Sequence, residues 1–124
     1  MRTDLGKVRF RGAAGSGTAH FWQQRVTAVG IGLLAIPVLV IIVMLLGRNH
    51  AATVQILGAP LVAILMALFV IASAWHMKLG MQVIIEDYVH NEKLKLAAIL
   101  ANQFFSFAVG VVSLYAILKL TSGV

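Results

Sequence analysis

The sequence predicts an all-α protein: three transmembrane helices forming part of a multi-subunit membrane helix bundle. Three observations predict it. Of the 124 residues, 60% are hydrophobic and 11% charged, a balance too apolar for a soluble domain of this size. The apolar residues gather into three runs of spanning length, with the basic residues at their ends. Three helices also enclose little interior of their own, so further helices are expected around them.

The first run, Val26 to Leu46, contains no charged residue. At ~1.5 Å per residue it covers roughly the ~30 Å hydrocarbon core. Pro37 lies inside it, where a local bend is expected and a membrane helix tolerates it. The connection "GRNHAATVQ" is polar and short. The second run extends over 57–86, interrupted by His76 and Lys78, and as one helix would be ~43 Å long. Ala59, Ala63 and Ala67 fall at i, i+4, i+8 and form a close-packing strip on it. The third run covers 94–119.

These runs divide the chain into an N-terminal segment, 1–25, and a three-helix anchor, 26–124. The opening "MRTDLGKVRFRG" is followed by "AAGSG" and not by an apolar core, so no secretory signal peptide is expected. "GAAGSG" reads as a flexible lead-in. Eight basic residues, Arg2, Lys7, Arg9, Arg11, Arg25, Lys78, Lys93 and Lys95, fall on one side of the predicted topology, and only Arg48 and Lys119 on the other. The positive-inside rule places the N-terminus and the Asp87 loop in the cytoplasm of a bacterial inner membrane, or less readily in a mitochondrial matrix.

Composition also excludes chemistries. The net charge of +6 comes from no basic stripe with interleaved aromatics, so nucleic acid is not an expected partner. There is no cysteine, which removes disulfides, zinc thiolates and iron–sulfur ligation by this chain.

Chemistry concentrates in "SAWHMKLGMQVIIEDYVH", residues 73–90. On a helix His76, Gly80, Val83 and Asp87 share a narrow sector, since eleven steps of 100° make three turns plus about 20°. A membrane-embedded imidazole with a glycine one turn away suits a haem axial ligand beside a flat macrocycle. It equally suits a histidine hydrogen-bonded to a neighbouring helix. His76 is the only histidine well inside a span, so a second ligand has to come from another subunit. Asp87 and Tyr88 end the apolar face near water, as a quinone site needs: a phenol for a carbonyl oxygen, a carboxylate for proton relay. A plain solvated helix end is the alternative. Lys78 reads as a snorkelling side chain, and Arg25 as a positive-inside anchor or a partner for a haem propionate or quinone.

"HMKLGMQVIIEDYV" resembles the H-x3-G-x6-DY signature of the smaller hydrophobic membrane anchor, a small cytochrome b-type subunit, of succinate dehydrogenase, respiratory complex II. "RVTAV", from Arg25 to Val29, is similar to the R-x-TA that opens the first span in that family, and the resemblance covers nearly the whole chain. It implies a four-subunit complex of electron transport and the tricarboxylic acid cycle: a flavoprotein oxidising succinate, an iron–sulfur subunit, and two anchors holding haem b and ubiquinone or another quinone. His76 maps to one axial haem ligand, the larger cytochrome b anchor supplying the other. Arg25 maps to the arginine near the propionates, and Asp87 and Tyr88 to the quinone pair. Family members often carry a histidine shortly before R-x-TA; His20 stands five residues before Arg25. A quinol:fumarate reductase anchor and a cofactor-free anchor are the alternatives within this reading. A transporter subunit relaying protons through His76 and Asp87 lies outside it, and the sequence lacks the repeat symmetry such proteins show.

Overall fold

Asn49 and Asn91, polar residues at the two chain reversals, mark where helices restart. The computed structural model describes residues 15–123, and there it is helical almost throughout: α1 Gly15–Leu45, α2 His50–Gly58, α3 Pro60–Tyr88 and α4 Glu92–Ser122. Three of these, α1, α3 and α4, are long and apolar enough to cross a membrane. The residues Arg2, Lys7, Arg9 and Arg11, half of the basic side in the predicted orientation, lie outside the described residues.

Two boundaries differ from the sequence reading. Gly15, Ser16 and Gly17, read as flexible lead-in, are already helical and continuous with α1. The connection between the first two spans holds a helix of its own, α2, and the second span opens at Pro60 instead of residue 57. Local chemistry explains this break. The Asn49 side chain accepts from the Ala52 amide and starts α2. Ala59, preceding a proline, adopts an extended conformation (φ −63°, ψ 137°), and Pro60, with no amide to satisfy, begins α3.

The other ends follow ordinary capping rules. Gly47 (φ 73°) takes the left-handed conformation just past α1, which glycine adopts without steric cost. Asn91 accepts from the amides of Lys93 and Leu94 and starts α4 after a three-residue link. Gly123 (φ 73°) closes α4, its amide donating to the Lys119 carbonyl. Pro37 lies within an uninterrupted α1.

α3 is the middle helix, packed by α1 on one side and α4 on the other, while α2 lies against α4. Both long pairs run antiparallel. Gly30 faces Ala72, Thr27 meets His76 and Gln24 borders Gly80; Gly110 faces Ala74, and Asn102 reaches the Lys78 carbonyl. Small residues set the close approaches, as membrane helix packing favours. Ala63, in the predicted small-residue strip, is buried.

The distribution of polarity is the reverse of a soluble core. Only Val38, Ile41, Ala63, Leu79, Ile85, Asn102 and Ser106 are buried among the described residues, and two of these are polar. Asn102 donates to the Lys78 carbonyl at 2.9 Å, and Ser106 donates to Asn102 at 3.4 Å. Large apolar side chains from all three long helices point outward, leaving their burial to lipid or to partner helices.

One close approach makes a testable demand. A Cβ at Gly58 would come within 2.8 Å of the Leu120 carbonyl oxygen, which is backbone and cannot rotate away. Gly58→Ala is expected to push α2 off α4 at a cost of ~1–3 kcal/mol, seen as a lower unfolding temperature of the detergent-solubilised protein. Gly32→Ala, where an added Cβ meets nothing within 4 Å, is the control and should leave that temperature unchanged.

Candidate functional site

His76 stands near the middle of α3 and is half-buried. Its ring meets α1, with Nδ1 lying 2.9 Å from Thr27 Oγ1. Nε2 makes no hydrogen bond to a described residue, and it is absent from the buried, unpartnered side-chain atoms, His20 Nε2 and Gln24 Oε1. One nitrogen is therefore tied to α1 and the other is presented at the surface of the helix pair.

Gly80, one turn on, faces Gln24: an added Cβ would lie 3.5 Å from Gln24 Nε2. The low flank beside His76 is thus bordered by an amide of α1. His20, Gln24 and Thr27 recur at i, i+4, i+7 and form a polar line on the α3-facing side of α1. His20 Nε2 and Gln24 Oε1 are buried without a partner. The antiparallel register sets them progressively closer to the end of α3 that carries Asp87.

Arg25 lies on the exposed side of α1, its guanidinium 5.0 Å from the centroid of the Phe21 ring. Lys78 is two residues from His76, so about 200° away around α3, and its ammonium sits 5.9 Å from the Trp75 ring centroid. It lines an apolar groove of about 590 Å³ between α3 and α4, with Trp75, Phe104 and Phe107 among its walls. The structure thus separates Lys78 from His76.

Asp87 and Tyr88 form the last residues of α3. Both are exposed, Tyr88 at 77%, and neither bonds a described residue. Glu86 beside them accepts from Gln82 at 3.0 Å. Two carboxylates in the final turn of a helix oppose its dipole, at ~0.3–1 kcal/mol each, and no basic residue offsets them in that turn. Local rules of this kind are broken most often where another demand prevails.

The structure joins His76 and Gly80 to α1, sets Asp87 and Tyr88 about three turns away at the C-terminal end of α3, and leaves Arg25 exposed. Among the described residues, no three His, Cys, Asp or Glu side chains gather to hold a bare metal ion. Sequence reasoning missed the partners Thr27, Gln24, Asn102 and Ser106. Their only sequence signal was spacing: polar residues one or two turns apart inside apolar runs.

Comparison with known proteins places the chain. The family model described as succinate dehydrogenase/fumarate reductase transmembrane subunit matches residues 1–110. A succinate dehydrogenase hydrophobic membrane anchor subunit of Rickettsia bellii is 35% identical over 108 residues, covering 86% of this chain and 85% of the relative. The protein of the same name in Paracoccus denitrificans is 30% identical over 112 residues, covering 90% and 86%. No solved structure matches. With three apolar helices of spanning length, a matching family model over residues 1–110, and relatives similar over most of their length, the chain belongs to the family of succinate dehydrogenase/fumarate reductase transmembrane subunits.

Proposed function

We propose that this chain is the smaller membrane anchor of a succinate:quinone oxidoreductase, supplying one axial nitrogen to haem b and part of the site where quinone is reduced. Succinate is oxidised elsewhere in the complex, on the flavoprotein, and electrons arrive through the iron–sulfur subunit. The observation that carries the reading is the His76 ring, with Nδ1 held by Thr27 and Nε2 unpartnered, in a chain whose relatives are named succinate dehydrogenase anchors.

The donor set fits a haem shared between two anchors. His76 offers one nitrogen at a surface that a partner helix can complete, and the other histidine of the seam, His20, stands two turns along α1 from Thr27, the residue that meets His76. Gly80 keeps the flank of the ring low, and Arg25, on the exposed side of α1 beside Phe21, would meet a propionate that reaches that side. The buried, unpartnered atoms of His20 and Gln24 line the same seam and suit a polar edge of the group. Haem b, when bound, would supply a one-electron redox centre.

Quinone takes up two electrons and two protons to become quinol. The Tyr88 hydroxyl donates to a quinone carbonyl and orients the head, while Asp87, open to water, accepts and passes protons. The N-terminus and the Asp87 end face the bacterial cytoplasm in this arrangement, and the larger cytochrome b anchor covers much of the outward apolar surface.

The family description also includes fumarate reductase, so a quinol:fumarate reductase anchor is the second reading. The named relatives favour succinate oxidation. The test is a dithionite-reduced minus oxidised spectrum of the complex that co-purifies with the tagged chain. Sharp low-spin b-type bands in a flavin-containing complex are expected; a flat spectrum in an intact complex would leave a cofactor-free anchor.

A further inference from the structure

The hydrogen-bond inventory of Thr27 determines more than its own position. Oγ1 lies 2.7 Å from the Gln23 carbonyl, 3.1 Å from the Gln24 carbonyl and 2.9 Å from His76 Nδ1. A hydroxyl has one proton to give, and a carbonyl can only accept. If that proton went to His76, the Gln23 oxygen would face the Thr27 lone pairs at 2.7 Å with no hydrogen between them. If it goes to Gln23, the oxygen is free to accept, and Nδ1 must carry the proton it donates.

We infer that Thr27 is a positioning residue: by accepting from Nδ1–H it fixes the tautomer of His76 and its ring orientation, so that Nε2 presents its lone pair away from α1. This rests on the reading of His76 as a haem ligand for its purpose, but the tautomer itself does not. An imidazole left to itself exchanges between tautomers, and the one protonated on Nε2 cannot ligate through that atom. The device is therefore built before any iron arrives. Once iron is bound, a hydrogen bond accepted from the far nitrogen makes the ring a stronger donor, which favours the ferric state.

The Thr27 methyl and hydroxyl have separate roles, so three variants distinguish them. Thr27→Ser keeps the acceptor, Thr27→Val keeps the shape, and Thr27→Ala removes both. In the assembled complex, Thr27→Val is expected to retain haem but raise its midpoint potential, by up to a tenfold change in the redox equilibrium, ~59 mV for one electron. Thr27→Ser should restore the wild-type value. A Thr27→Val potential within error of wild type would overturn the inference.

A second measurement does not need haem. Proton-coupled ¹⁵N spectra of histidine-labelled full-length chain in haem-free vesicles should show His76 protonated on Nδ1 alone, and a tautomer mixture in Thr27→Val. A wild-type signal from Nε2–H would overturn the inference even if every variant failed to assemble. Haem lost from His76→Ala with no tautomer preference in wild type would sink this inference and spare the ligand. A fixed tautomer in a complex without haem would do the opposite.

Discussion

If His76 ligates haem b as proposed, replacing it by alanine should strip the assembled complex of its low-spin haem bands. Loss of a hydrogen-bond partner behind a metal-bound histidine already lowers affinity by about 10–100-fold, and loss of the ligand itself should exceed that. Two outcomes agree with the assignment: haem absent from an otherwise intact complex, or haem retained with a high-spin spectrum. Retention of the same content and the same sharp low-spin bands would show that His76 is not the ligand. His20→Ala is the internal control. It lies on the same polar seam, with Nε2 buried and unpartnered, but on α1 and further towards the Asp87 end. It should alter stability or potential without removing an axial ligand, so the two variants together separate ligation from general disturbance of the α1–α3 contact.

The parts of this arrangement that could be read from sequence were those with a one-dimensional signal. The spans were legible because an apolar run of spanning length has few alternatives, and α3 and α4 fall within three residues of the predicted limits. His76 was legible because an ionisable group inside such a run is costly. The α2 helix was not: nine residues containing a histidine, a threonine and a glutamine have no strong pattern, and only Asn49 and Pro60 mark its ends. The role of Thr27 was hidden for a different reason. Around Thr27 α1 carries polar residues on several sides, Gln23, Gln24 and Arg25 among them, so its sequence does not single out the line that meets α3, and the partner of His76 emerges only from the antiparallel register. Asn102 is the same case on α4. Polar residues such as Asn102, Gln103 and Ser106 within an apolar run say that partners are needed, but not that one of them is the Lys78 carbonyl.

At the C-terminal end of α3, the competing accounts of Asp87 and Tyr88 predict different kinetics. If they merely end a solvated helix, Tyr88→Phe removes an exposed hydroxyl with no partner among the described residues, and turnover should not change. If Tyr88 donates to a quinone carbonyl, its loss removes a hydrogen bond worth ~1–1.5 kcal/mol, or about a tenfold fall in succinate:quinone turnover at limiting quinone. Asp87→Asn should have the larger effect, up to about a hundredfold, because a positioned proton-transfer group contributes ~10²–10⁴ and water near the exposed site recovers part of that. In both variants, succinate oxidation coupled to an artificial acceptor that draws electrons from the soluble subunits should stay at the wild-type rate, since neither residue touches that chemistry. Removing the Asp87 charge also relieves its opposition to the α3 dipole, so Asp87→Asn should be no less stable than wild type while turning over more slowly. A variant more stable and less active is what a residue kept for function produces; quinone turnover within about twofold of wild type for both variants would return this pair to the status of an ordinary helix end.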